Sequence, residues 1–133
     1  MMTNTTANVL LTNCIYETLR IDPSARISLD IRMREKCKLG SLTVLPMTDV
    51  HIYIRGLQHN PKEWREPEKF VPERFDPESE WYLTPSGKKR HPMSYGPFLG
   101  GHRICLGKTF ALNSTNRVLP IILMQLDFEF TDK

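Results

Sequence analysis

The sequence has no long apolar run. Nowhere in its 133 residues is there a stretch of the about 20 apolar residues that crosses a bilayer, so no membrane span is expected in it. Its first residues, Met1-Met2-Thr3-Asn4-Thr5-Thr6, lack a charged segment followed by an apolar core, and no signal peptide is expected. Cysteine is scarce. Cys14, Cys37 and Cys105 are odd in number, far apart and in no C-x-x-C pair, which disfavours a disulfide framework and a thiolate zinc site. A large charge of one sign is also missing. The net charge is +3, and Asp and Glu accompany Lys and Arg along the chain, too even a balance to argue for nucleic acid. There is no internal repeat. Two glycosylation sequons, at Asn4 and Asn113, are read as chance in the absence of a secretory signal. The length is that of one domain, and the charged fraction of 25% is ordinary for a folded chain.

What the sequence does have is one chemically loaded loop. Phe98-Leu99-Gly100-Gly101-His102-Arg103-Ile104-Cys105-Leu106-Gly107 carries a cysteine, an arginine two places before it and glycines on both sides. An apolar run, Phe110-Ala111-Leu112, follows at once. The glycines remove Cβ atoms where the backbone turns tightly or presses against something flat. Arg103 and the start of a following helix favour negative charge on the sulfur. The segment therefore reads as a loop presenting Cys105 as a thiolate at a helix N-terminus. The bland alternative is an inert buried cysteine in a glycine-rich turn. A phosphate-binding loop, G-x-x-x-x-G-K-[ST], is excluded by spacing: five residues, not four, separate Gly101 from Gly107 before Lys108-Thr109. No apolar strand leads into it either, so its N–H groups would not converge on one phosphate.

The spacing F-x-x-G-x-R-x-C-x-G, filled by Phe98, Gly101, Arg103, Cys105 and Gly107, resembles that of the haem-thiolate monooxygenases, the cytochrome P-450 superfamily. Two further segments carry the same resemblance. Glu17 and Arg20 form an E-x-x-R pair, and the 59–75 stretch reads H-x-P-x-x-W followed by P-x-x-F-x-P-E-R-F, with Trp64, Phe70 and Phe75 as expected aromatic anchors. By residue type alone Glu17 and Arg20 are a solvated helical ion pair worth a few tenths of a kcal/mol, roughly. The resemblance instead implies that Glu17, Arg20 and Arg74 form a buried structural triad that holds the cysteine loop. It implies haem as cofactor, with Cys105 as the axial iron ligand and catalytic residue. Arg103 would partner a haem propionate, Phe98 would pack beside the sulfur, and Gly101, Gly107 and Ala111 would lie against the porphyrin.

Periodicity supplies the elements. Residues 9–20 follow helical spacing, with Leu11, Cys14, Ile15, Thr18 and Leu19 on one face, and Asp22-Pro23 ends the helix. Residues 1–8 read as a flexible lead-in. Residues 25–33 alternate strictly, with Ile27, Leu29, Ile31 and Met33 facing one way, and read as a half-buried strand. Leu42 and Val44 begin a second strand, interrupted by Pro46; Val50, Ile52 and Ile54 make a third, with His51 on the surface. Prolines at 61, 67, 72 and 77 exclude a long helix there, and His59 reads as a loop hydrogen-bonder rather than a ligand. A helix is expected from Lys108 to about Leu119, ended or kinked by Pro120, then apolar core at 121–124 and a short strand over 127–130.

The expected fold is therefore α+β: an E-x-x-R helix, a small antiparallel sheet, a proline-rich meander, the cysteine loop and a following helix, resembling the C-terminal part of the cytochrome P-450 fold. Residues 9–133 would form that haem-thiolate part. The distal half of a haem site is not recognisable, and the reading is of a fragment rather than a complete enzyme. The implied reaction is insertion of one oxygen atom from dioxygen into a small apolar organic substrate, with electrons from a reductase. The alternative is a non-catalytic haem-binding or interaction fragment. The basic cluster Lys88, Lys89, Arg90 and Lys108 is read as attracting an acidic redox partner. The resemblance places the protein at the endoplasmic reticulum membrane only as part of a full-length eukaryotic relative. Two departures stand out. Asp30 occupies the place of a second propionate-binding Arg or His, with Arg26 or Arg32 as substitutes, and the expected P-x-G turn reads Pro46-Met47-Thr48.

Overall fold

The structure is a computed structural model that describes residues 4–129, with side chains from residue 8 onward. Helix α1 spans Asn4–Ile21. Two antiparallel two-stranded ribbons follow: β1 (Ile31–Arg32) with β4 (Asp49–Val50), and β2 (Cys37–Leu39) with β3 (Leu42–Val44). A five-residue helix α2, Ile54–Gln58, leads into the meander, which is punctuated by single 3₁₀ turns at Pro72–Phe75, Glu80–Tyr82 and Pro92–Ser94. A fourth such turn, Gly101–Arg103, lies in the cysteine loop, and helix α3, Lys108–Gln125, closes the described chain.

Helix α1 starts at Asn4 rather than Val9, so residues 4–8 of the expected lead-in are helical. The turns already formed downstream make each added residue cheap to order, and Thr12 Oγ1 lies 2.9 Å from the carbonyl oxygen of Asn8. The helix ends at Ile21, next to Asp22-Pro23 as expected.

The half-buried strand over 25–33 is corrected. Ile27, Leu29 and Ile31 are exposed, Leu29 at 87%, whereas Ser28 is buried. Ser28 is the reason the ladder breaks: its hydroxyl accepts from the N–H of Ile52 at 2.8 Å and donates to the carbonyl of Leu29 at 3.0 Å. A side chain thus stands in for a ladder bond, and regular pairing resumes only at Ile31 opposite Val50. The third strand stops short as well. Tyr53 bridges to Ile27, but Ile54 begins α2 and is buried at its start. The turn at 46–48 is made without glycine by Met47, whose φ of 63° lies in the left-handed region at a cost of about 1–2 kcal/mol.

Helix α3 runs through Pro120 to Gln125 instead of stopping there. The apolar residues after the proline are not core: Ile121, Ile122, Leu123 and Met124 are all exposed. Four consecutive residues point around the whole helix, and among the described residues all four stay exposed. Residues 127–129 carry no strand, and Phe130 lies outside the described residues.

The core is small and polar. Trp64, Ile54, Ile15 and Val71 are its buried apolar members. Beside them lie Glu17, Arg20, Gln58 and Arg74, each with 0% exposure. Aromatic rings surround this centre, with Phe75 and Tyr95 edge to face at 5.0 Å and Tyr16 5.4 Å from Phe75. Phe70, expected as an anchor, is half exposed.

Candidate functional site

The site consists of the cysteine loop and the buried network beneath it. One helical turn separates Glu17 from Arg20, so both project from the same side of α1. Arg20 donates twice to Glu17, from Nε to Oε2 at 2.7 Å and from Nη2 to Oε1 at 2.8 Å. Arg74, brought in by the 3₁₀ turn at Pro72–Phe75, donates from Nε to Oε1 at 3.1 Å. The N–H of Val71 reaches the same oxygen at 2.9 Å. A single carboxylate therefore stands between two guanidiniums.

The remaining donors are matched by backbone. Arg20 donates to the carbonyls of Gln58 and Lys69, and Arg74 to those of Arg65, Glu66 and Lys69. Burial lowers the Arg74 guanidinium from its ordinary range, and Glu17 opposes that shift. With every polar atom paired, the charges can be buried; with one partner removed they could not.

Gln58, which nothing in the sequence singled out, couples this network to the cysteine loop. Its Nε2 donates to the carbonyls of Leu19 and Arg20 at the end of α1, and its Oε1 accepts from the N–H of Gly96 at 3.0 Å. Nearby, Tyr95 donates to the carbonyl of Tyr16 at 3.2 Å, and Trp64 Nε1 donates to that of Ser94 at 3.3 Å. Burial drives the Tyr95 phenol well above its ordinary range. Residues 94–96, the root of the loop, are thus fixed from α1, α2 and the meander together.

Above that root the loop is held by its own backbone. The N–H of Leu99 donates to Gly96, that of Ile104 to Gly101, and that of Cys105 to Phe98 at 2.9 Å. Gly101 adopts φ +61°, a conformation that a side chain would strain. Leu99 pays that strain with φ 59°. Cys105 is free and exposed, not buried among aliphatic groups. The N–H of Lys108 donates to its carbonyl as α3 begins. Arg103 and Gly107 are exposed, while Phe98 and Ala111 are partly covered. Leu106 and Phe110, on either side of the helix start, present their side chains outward, Phe110 at 78% exposure.

Helix α3 is seated on α1. Thr12 Oγ1 donates to Asn116 Oδ1 at 3.0 Å, and Ala111, Leu112, Thr115 and Leu119 face Cys14, Ile15, Thr18 and Leu19 across a cleft. The polar run 113–116, poor as a helix sequence, supplies this inter-helix bond.

Other expected groups fall elsewhere. Asp30 is exposed with His51 Nδ1 3.5 Å away, while Arg26 and Arg32 pair with Asp22 and Asp49 on the surface. Arg90 does not belong to an exposed basic patch. Its guanidinium lies over the Trp64 ring at 4.4 Å and donates to the carbonyls of Trp81 and Arg74. Burial, aided by neighbouring Arg74, pushes it down to about 10. Trp81, unremarked in the sequence, has Arg65, Lys69 and Arg74 over its ring at 5.0–5.4 Å.

Does this loop suit the cofactor that the motif implies? The donor set fits: one uncovered cysteine sulfur on a backbone-braced loop, flanked by apolar side chains turned outward and by a glycine with left-handed backbone.

Comparison with known proteins bears on the same segments. Residues 2–133 match the Cytochrome P450 family, and the chain belongs to it. It is 39% identical to cytochrome P450 4F5 of Rattus norvegicus over 86% of this chain and 20% of that protein. It is 35% identical to the steroid 17-alpha-hydroxylase/17,20 lyase of Ovis aries, over 93% of this chain and 23% of that protein. A zebra fish cytochrome P450 solved with abiraterone superposes with a TM-score of 0.71 at 27% identity, over 92% of this chain and 27% of that one. The chain thus spans about a fifth to a quarter of the length of these relatives. The family is one of haem-dependent monooxygenases, and the mixed helix and small-sheet architecture is that of part of its fold.

Proposed function

We propose that this chain provides the cysteine-bearing part of a haem-thiolate monooxygenase, in which Cys105 would hold the haem iron through its sulfur. The observation that carries this reading is the exposed Cys105 sulfur on a loop braced from Phe98 to the start of α3. Haem held by a thiolate supplies dioxygen activation, since electron density from sulfur favours O–O cleavage. The protein residues have narrower tasks. Phe98 and Ala111 would offer apolar contact to a flat ring, Gly101 and Gly107 would let the backbone approach it, and Arg103 would neutralise a propionate. Glu17, Arg20 and Arg74 keep the loop root in place and touch no reacting atom.

The whole reaction is a proposal at the level of the relatives: one oxygen atom enters a small apolar organic substrate, with electrons from a reductase. Lys88, Lys89 and Lys108 are exposed and would meet an acidic donor surface, whereas Arg90 is engaged in packing. Eukaryotic relatives such as the two mammalian proteins support a place at the endoplasmic reticulum membrane. Among the described residues no helix is long and apolar enough to cross a membrane.

Haem titration tests the reading. The reduced carbonyl complex of the loaded chain should show the red-shifted absorption of thiolate ligation, and Cys105→Ser should lose it. The same band in the variant, or none in the parent, would contradict the assignment. Turnover that persists without a thiolate band would also count against it.

A further inference from the structure

Away from the cysteine loop, the start of the meander forms an open cavity of ≈ 520 Å³ with Tyr53, Arg55, His59, Asn60 and Glu68 among its lining residues. His59 is nine-tenths buried there, and its two ring nitrogens have different fates. Nδ1 lies 2.9 Å from the carbonyl oxygen of Arg55. A carbonyl only accepts, so Nδ1 carries the hydrogen and the neutral ring leaves Nε2 as a bare lone pair. Nε2 is buried with no hydrogen-bond partner, and is the only such side-chain atom among the described residues. The nearest carboxylate oxygen, Glu68 Oε2, stands 3.6 Å from it. Two acceptors facing each other across a cavity are a mismatch that only a proton, another donor or a cation between them resolves.

We propose that His59 Nε2 and Glu68 form a binding site for a divalent transition-metal ion of the zinc class. An imidazole whose Nδ1–H is held by a backbone carbonyl, with Nε2 free, has the orientation and tautomer of a metal-ligating histidine. Zinc bonds to histidine nitrogen and carboxylate oxygen at about 2.0–2.2 Å, so tetrahedral bonding would hold the two atoms roughly 3.4 Å apart. The observed 3.6 Å needs little movement, and the Glu68 side chain is exposed enough to make it. No cluster of three or more His, Cys, Asp or Glu side chains suited to a metal occurs among the described residues, so water fills the remaining positions. Arg55 Nη2, 4.0 Å from the same Glu68 oxygen, competes with the ion and keeps affinity modest. The site shares no residue with the cysteine loop and does not depend on haem.

The test is titration of the intact 133-residue chain with zinc chloride at about pH 7.5, where an ordinary imidazole is neutral, read by nitrogen NMR of the four histidine rings. The His59 Nε2 resonance should move while its Nδ1–H persists, and magnesium should leave it unmoved. His59→Ala should abolish that response, and Glu68→Gln should weaken the zinc affinity reported at His59 by at least about tenfold. Glu68→Gln alters an exposed side chain, so it decides the matter even if His59→Ala fails to fold. Zinc uptake reported by His51, His91, His102 or the cysteines with His59 unmoved would overturn the proposal, as would unchanged affinity in Glu68→Gln.

Discussion

Arg74 reaches Glu17 across 57 residues of sequence, its Nε 3.1 Å from Oε1, and neither side chain meets solvent. That contact helps join the first helix to the meander beneath the cysteine loop, together with the Val71 N–H on the same carboxylate oxygen and Arg20 on the carbonyl of Lys69. Glu17 is also the only acidic side chain paired with Arg20 among the described residues, so one carboxylate balances two buried cations.

Glu17→Gln should therefore be severe. It keeps the shape but removes the charge, and should cost about 3–5 kcal/mol in denaturant unfolding. Glu68→Gln, which removes an exposed carboxylate from Arg55, should cost no more than about 1 kcal/mol. Similar losses in the two variants would mean that the buried network does not hold the fold together.

Tyr95 predicts a pH dependence. Burial raises its folded-state pKa above the ordinary phenol value near 10. Its contribution is fully present below that value. As pH rises past about 10 the unfolded chain releases the proton while the folded chain retains it, so stability falls. Tyr95→Phe should flatten this alkaline decline relative to the parent, measured by unfolding over that range. The Arg90 contribution has the opposite sign, because its folded pKa is lowered, but it is common to both proteins and cancels in the comparison. Equal alkaline slopes would contradict the assignment.

Two glycines near the loop should respond oppositely to alanine. At Gly101, φ +61° makes any side chain costly despite open space, and Gly101→Ala should destabilise by about 1 kcal/mol. Gly96 has open space and no left-handed backbone, so Gly96→Ala should be neutral or stabilise by up to about 1 kcal/mol. Thermal unfolding of the pair separates backbone strain from simple loss of room.

Motifs with fixed spacing were legible in the sequence; packing was not. Glu17, Arg20 and Arg74 could be brought together on paper because P-E-R-F and E-x-x-R are local patterns with a known partner. Gln58 could not, since a lone glutamine has no spacing that marks it, yet it ties Leu19, Arg20 and Gly96 together. Arg90 illustrates the reverse error. A run of Lys88-Lys89-Arg90 looks like one solvated patch, but only the lysines are exposed; the planar guanidinium lies over Trp64. Alternation over 25–33 correctly gave an extended chain and wrongly gave its buried side. Period alone cannot say which face finds a partner, and here Ser28 faces in while Leu29 faces out. Likewise Pro120 costs a helix one hydrogen bond, which the flanking turns of α3 absorb.

The central claim is a bond between one sulfur atom and iron. X-ray absorption at the iron edge of the haem-loaded chain reads that bond directly. A sulfur atom in the first shell of iron in the parent, replaced by oxygen or nitrogen in Cys105→Ser, is the expected result. A first shell of nitrogen and oxygen alone in the parent would contradict it.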